Sequence, residues 1–171
     1  MAESRAHTPL TSISLIGFMA SGKTTIGRLL AERMGWRFVD LDEEIERETG
    51  RSISLLFQEG EWFFREIEAN QLRRVLDSYP TETVIAVGGG TPCFGNQMEL
   101  LLRCTRCVFL EVELGVVMDR LSRSNQERPL ASGELSSLLM SRELIYRRAD
   151  FHINNIHQPE VCVDQLIQLL G

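Results

Sequence analysis

Gly17-Phe18-Met19-Ala20-Ser21-Gly22-Lys23-Thr24 satisfies the pattern G-x-x-x-x-G-K-[ST] at every fixed position. An apolar segment, residues 12–16, precedes it and an amphipathic segment, residues 23–34, follows it. This is the strand–loop–helix setting in which such a loop cradles phosphates. Glycines let the chain wrap closely, so that backbone N–H groups and a helix N-terminus face phosphate oxygens. Lys23 supplies a compact charge for the β- and γ-phosphates, and the Thr24 hydroxyl a ligand for Mg²⁺. The motif therefore constrains the chain to bind a nucleoside triphosphate, with Ala20, Ser21, Gly22, Lys23, Thr24 and Thr25 as phosphate-side residues.

Lys23 is also the only lysine, since the other 17 of the 18 basic residues are arginine. A regulatory GTPase needs a second lysine in its base-reading Asn-Lys-x-Asp element, and a protein kinase needs one on a separate strand. Both classes are excluded, and 171 residues are short for a motor ATPase. A small P-loop enzyme that phosphorylates a small molecule remains.

The formal charge is −6, which disfavours nucleic acid as a partner. Residues 40–68 hold ten carboxylates against Arg47, Arg51 and Arg65, a local balance of −7 that leaves the remainder at +1. Most of those carboxylates read as a solvated helical face. No apolar run is long enough to cross a bilayer as a helix, and residues 1–11 do not read as a signal peptide. These eleven are expected to form a flexible polar tail, and the enzyme is expected in the cytoplasm. Cys93, Cys104, Cys107 and Cys162 lack zinc spacing, and His7, His152 and His157 are scattered; cysteine here reads as a small hydrophobe.

Apolar runs alternate with helical patterns throughout. Strands are expected at residues 12–16, 37–41, 83–87, 106–112 and 151–154. Helices are expected at 23–34, 42–49, 52–58, 61–76, 97–102, 115–121, 135–148 and 159–170, with a polar loop at 122–133. Such alternation implies right-handed crossovers and a parallel sheet covered on both faces, in one α/β domain over residues 12–171.

Four further patches look placed for chemistry. Phe38-Val39-Asp40-Leu41-Asp42 puts two carboxylates at a strand end, where open α/β sheets bind ligands; strand alternation points both to one side. Arg65 stands early in a helix after Gly60-Glu61-Trp62-Phe63-Phe64. Gly88-Gly89-Gly90 follows a strand and lets a ligand approach bare backbone. Arg128-Pro129-Leu130 lies in the polar loop, with Tyr146-Arg147-Arg148 near the end of the next helix.

In this order and at these intervals the patches resemble the shikimate kinase family from about residue 13 to residue 170. The resemblance implies a three-layer α/β/α P-loop fold like that of nucleoside monophosphate kinases. Its five-stranded parallel sheet would run in order 2-3-1-4-5 beneath a mobile lid at about residues 122–134. It also implies ATP-dependent phosphorylation of the 3-hydroxyl of shikimate, in chorismate and aromatic amino-acid biosynthesis, by a monomer using Mg²⁺. The roles it implies are Asp42 on the shikimate hydroxyls and as proton acceptor, and Asp40 beside Mg²⁺ with Thr24. Arg65 and Arg147 would clamp the substrate carboxylate, with Gly88, Gly89 and Gly90 around the substrate. Arg128 would close over the phosphates, and Arg120 would stack on adenine. Lys23, Asp42 and Arg128 would form the catalytic set.

Three positions depart from that pattern. Ala20 replaces a frequent glycine and is strained unless its φ is negative. Asn154 replaces a frequent aspartate on the adenine side. The bulky pair Trp62-Phe63 is expected to pack beneath the acceptor site. A gluconate-type kinase, and a nucleotide-binding module without catalysis, are the other readings of the P-loop; the first fits the Gly60–Arg65 and triple-glycine patches less well, and the second is expected to lack the lysine, aspartate or arginine present here.

Overall fold

A computed structural model describes residues 12–123, 132–155 and 158–171. Five strands, β1 (Ile13–Ile16), β2 (Arg37–Asp40), β3 (Thr83–Ala86), β4 (Arg106–Glu111) and β5 (Phe151–Asn154), form one sheet. Their order is β2-β3-β1-β4-β5 and every pairing is parallel, as the resemblance implies.

Among the described residues, eight α-helices flank the strands. They are α1 (Lys23–Met34), α2 (Leu41–Thr49), α3 (Ile53–Gln58), α4 (Glu61–Ser78), α5 (Gln97–Cys104), α6 (Leu114–Arg123), α7 (Ser132–Tyr146) and α8 (Pro159–Leu170). Period-two alternation sorts the strand residues between two cores. Ile13, Leu15, Val84, Val108 and Leu110 face Ile26, Leu30 and Ala31 of α1 and Val163 and Leu166 of α8. Ile16, Ile85, Cys107 and Phe109 face the opposite layer, with Leu41, Ile45, Phe64, Leu72 and Tyr146. The central strand β1 is buried along its whole length, so its C-terminal end, where the phosphate loop begins, has little freedom to move.

The structure corrects several boundaries. Strand β2 stops at Asp40, and Leu41 already opens α2. Asp40 accepts from the backbone N–H groups of Asp42 and Glu43 and so caps that helix. Asp42 therefore stands in a first helical turn, not on a strand, and alternation is not what aims it. In addition, α6 and α7 extend into the expected loop from both sides, reaching Arg123 and beginning at Ser132. The lid's remaining core, with Arg128, Pro129 and Leu130, lies outside the described residues, as does the expected tail at 1–11.

Cys107 and Cys162 are buried, whereas Cys93 and Cys104 are half-buried. Cys107 is fully buried on β4, and desolvation pushes its thiol up to about 12, as befits a packing residue. Among the described residues no group of His, Cys, Asp and Glu could by itself hold a metal.

Leu30 of α1 is fully enclosed against the sheet. Leu30→Ala should lower unfolding free energy by about 3 kcal/mol, measured by urea titration, with little effect on the affinity for the acceptor substrate.

Candidate active site

The loop between β1 and α1 wraps tightly. Gly17 has φ 145° and Gly22 φ 92°. A side chain at Gly17 would sit 2.6 Å from the Leu110 carbonyl oxygen. Ala20 takes φ 56°, so the strained branch of the expectation holds: a non-glycine residue in this region costs about 1–2 kcal/mol. Lys23 lies over its own loop, its Nζ donating to the carbonyls of Gly17 (2.9 Å) and Phe18 (2.8 Å) and to Ser21 Oγ (3.3 Å).

Two cavities meet at this loop. One, of about 440 Å³, is lined by Ala20, Gly22, Thr25, Ile26, Arg120, Asn155 and Pro159. The other, of about 330 Å³, is lined by Met19, Ala20, residues 22–25, Asp40, Asp42 and residues 86–89. Ala20, Gly22 and Thr25 belong to both walls, so the phosphate loop separates a nucleoside-sized space from an acceptor-sized one.

On the acceptor side, Thr24 Oγ1 donates to Asp40 Oδ2 at 2.7 Å. These two hard oxygen ligands adjoin the phosphate loop, and such a pair suits Mg²⁺, which otherwise keeps waters and substrate phosphates. The set is too small to hold the ion unaided, which matches a cation that arrives with a nucleotide. Asp42 shares the cavity. Burial first, then the charges of Asp40 and Glu68, push its carboxyl up to about 6 from an ordinary 3.8, while Lys23 opposes them.

Arg65 is 8% exposed and is held by Glu68 (2.7 Å) and Glu61 (3.4 Å). Its guanidinium lies over the rings of Phe57 and Phe64. It also fills the space beside Gly90, where a methyl group would fall 2.0 Å from Nη2. Gly90 is thus needed for close approach of Arg65. Glu68 accepts from Thr91 Oγ1 at 2.6 Å, so α4 and the turn Thr91–Cys93 lock together around the glycines. Gly89 accepts from the buried Tyr146 hydroxyl at 2.5 Å, and burial raises the Tyr146 phenol.

The structure does not bring Arg147 to this turn. Its side chain is 47% exposed, paired with Glu111 at 2.8 Å and with Glu143. Arg142 lies there instead: its Nη1 is 3.7 Å from where a side chain at Gly89 would begin. Its charge acts on Tyr146 and Cys93. Helical geometry gives the reason. Arg142 stands four residues before Tyr146 and shares its inward face, whereas Arg147 follows the helix end and points away. The sequence carries that spacing, and it likewise carries Glu68 one turn after Arg65.

Arg120 lines the nucleoside-side cavity, its guanidinium bonded to the carbonyls of Ala20 and Asn155, both at 2.9 Å. Asn154 is exposed and Asn155 buried, so the second asparagine is the one in the wall. Trp62 and Phe63 are also exposed, at 71% and 41%. Trp62 meets Phe94 edge-on, and Phe64 takes the buried position expected for the pair.

A parallel P-loop sheet whose loop lies between a nucleoside-sized cavity and an acidic acceptor cavity defines a small-molecule phosphotransferase. The sequence model of the shikimate kinase family matches residues 19–170. The shikimate kinase of Persephonella marina is 38% identical over 149 residues, covering 85% of this chain and 89% of that one. Among solved structures, shikimate kinase from Bacteroides thetaiotaomicron has a TM-score of 0.86 at 35% identity, covering 95% of this chain and 99% of that one. Shikimate kinase from Acinetobacter baumannii in complex with shikimate has a TM-score of 0.87 at 34% identity, covering 94% and 93%. The chain belongs to the shikimate kinase family.

Two outcomes test this geometry. Ala20→Gly should leave thermal stability level or raise it by about 1 kcal/mol, because relief of the left-handed strain offsets the added unfolded-state freedom. For Asp42 the sign follows from its raised pKa. Between pH about 4 and 6 the folded chain keeps a proton that the unfolded chain releases, so stability falls as pH rises through that window and is level above it. Asp42→Asn should therefore stabilise the apo protein at pH 8 by on the order of 2 kcal/mol, with the gain gone at pH 4. The same variant should lose most turnover and, with it, the acid limb near pH 6 in kcat/KM for the acceptor at saturating nucleotide.

Proposed function

We propose that the chain transfers the γ-phosphoryl group of ATP to the 3-hydroxyl of shikimate, with the residue roles that follow. The observation that carries this reading is one cavity shared by the phosphate loop and Asp42, whose carboxyl is raised to about 6 by burial and acidic neighbours. The nucleoside occupies the Arg120 side, and its phosphates lie on the N–H groups of residues 20–25 with Lys23 against the β- and γ-oxygens. Thr24 and Asp40 would hold Mg²⁺, which supplies charge neutralisation at the phosphates.

Asp42 accepts a hydrogen bond from the attacking hydroxyl. As the oxygen–phosphorus bond forms and the bond to ADP breaks, the hydroxyl proton passes to Asp42 and then to solvent. A carboxyl titrating near 6 is ionised at neutral pH yet basic enough to take that proton. Arg65 and Arg142 converge on the glycine turn and would bind the shikimate carboxylate, since guanidinium offers two parallel donors where lysine offers a point charge. Arg128, outside the described residues, would close over the phosphates, as the family resemblance implies. Action as a cytoplasmic monomer is part of the same proposal. Among the described residues no helix is long and apolar enough to cross a membrane.

Arg142 and Arg147 discriminate the revised clamp from the one expected first. Arg142→Lys and Arg65→Lys should each raise the KM for shikimate about tenfold or more, the loss of one charge-assisted bidentate contact. Arg147→Ala should leave that KM within about twofold, as an exposed ion pair allows. The reverse pattern would return the clamp to Arg147.

A further inference from the structure

Asn155 has no role in the transfer described above, yet it is 3% exposed and bonded at every polar atom. Its backbone N–H donates to the Glu111 carbonyl at 2.8 Å, and its backbone carbonyl accepts from Arg120. In the side chain, Nδ2 donates to the Ser21 carbonyl at 2.5 Å and Oδ1 accepts from Cys162 Sγ at 3.1 Å. One residue thus connects the end of β4, helix α6, helix α8 and the phosphate loop.

The contact with the loop falls where the loop is strained. Ala20 and Ser21 turn their carbonyls away from the phosphate side, toward Arg120 Nη1 and Asn155 Nδ2. Ala20, whose own carbonyl is the first of the two, holds φ 56°. A buried carbonyl without a donor costs about 1–3 kcal/mol, so these donors favour the conformation in which Ala20 is left-handed. The fit is close: a side chain at Gly22 would meet Asn155 Nδ2 at 2.6 Å. We infer that Asn155 is a positioning residue for the nucleotide, holding the strained phosphate loop in its receiving conformation by donating to the Ser21 carbonyl in concert with Arg120. This rests on the loop being the ATP phosphate site.

Asn155→Ala should raise the KM for ATP about tenfold, the equivalent of about 1.4 kcal/mol for one lost buried hydrogen bond. The KM for shikimate should stay within twofold, because the acceptor cavity does not include residue 155. Asn155→Ser keeps a buried polar group too short to reach Ser21 and should give the same split, which covers the case in which the alanine variant folds poorly. A merely structural role would not predict a coupling to Ala20. In the Ala20→Gly background, where the loop adopts its conformation without strain, Asn155→Ala should raise the KM for ATP only about threefold. An unchanged KM for ATP, a parallel rise in both KM values with a fallen Tm, or a full tenfold rise in the Ala20→Gly background overturns the inference. Failure of the underlying reading shows separately: Lys23→Ala would then leave the KM for ATP of the otherwise unaltered enzyme where it was.

Discussion

The rest of the site depends on how the chain turns between a buried strand and the first turn of a helix. Strand β1 has no freedom, being paired on both sides and enclosed on both faces. Helix α1 is fixed against the sheet and α8. The six residues between them, 17–22, must present N–H groups to one cavity, so their carbonyls face elsewhere and need donors. Lys23 takes those of Gly17 and Phe18, Arg120 that of Ala20, and Asn155 that of Ser21. Preorganised dipoles of this kind are how a phosphoryl-transfer enzyme stabilises charge with little reorganisation.

The acceptor side solves a different electrostatic problem. Asp40, Asp42 and Glu68 crowd one region, and each needs a reason to stay. Asp40 is occupied by Thr24 and by the start of α2. Glu68 is neutralised by Arg65 and bonded to Thr91. Among the described residues the Asp42 carboxylate has no hydrogen bond or ion pair of that kind, and burial together with its acidic neighbours raises its carboxyl to about 6. An unfavourable position for the folded chain is thereby a useful one for proton transfer. The fixed arginines Arg65 and Arg142 lie beyond it at the glycine turn, and Arg65 is supported by carboxylates and aromatic faces, so its orientation does not depend on substrate.

Much of this was legible in the sequence because the relevant physics is local. The phosphate loop and the alternation of strands and helices follow from spacing, and Arg65 after Gly60 stands out through the family resemblance. Asp40 also carries a capping signal, with Glu43 three residues on, which fits β2 ending at Asp40. Non-local relations were not legible. Nothing near Arg147 signals that Glu111, thirty-six residues away, will hold it at the surface, and the four-residue spacing from Arg142 to Tyr146, visible in the sequence, points Arg142 inward only because Tyr146 is buried. Likewise Asn154 and Asn155 are indistinguishable as sequence, and the end of β5 decides which one is enclosed. Trp62 and Phe63 mislead for a related reason: bulk predicts burial on average, but α4 has already given its inward positions to Phe64 and Arg65.

The central claim is that both cavities must be filled for phosphate to leave ATP, since attack requires a hydroxyl held at Asp42 and water is a poor substitute in that geometry. Steady-state release of ADP, followed with shikimate present and absent at saturating Mg·ATP, tests this most directly. The account predicts rapid release with shikimate and near-baseline release without it. Equal ATP turnover in the two conditions would contradict it.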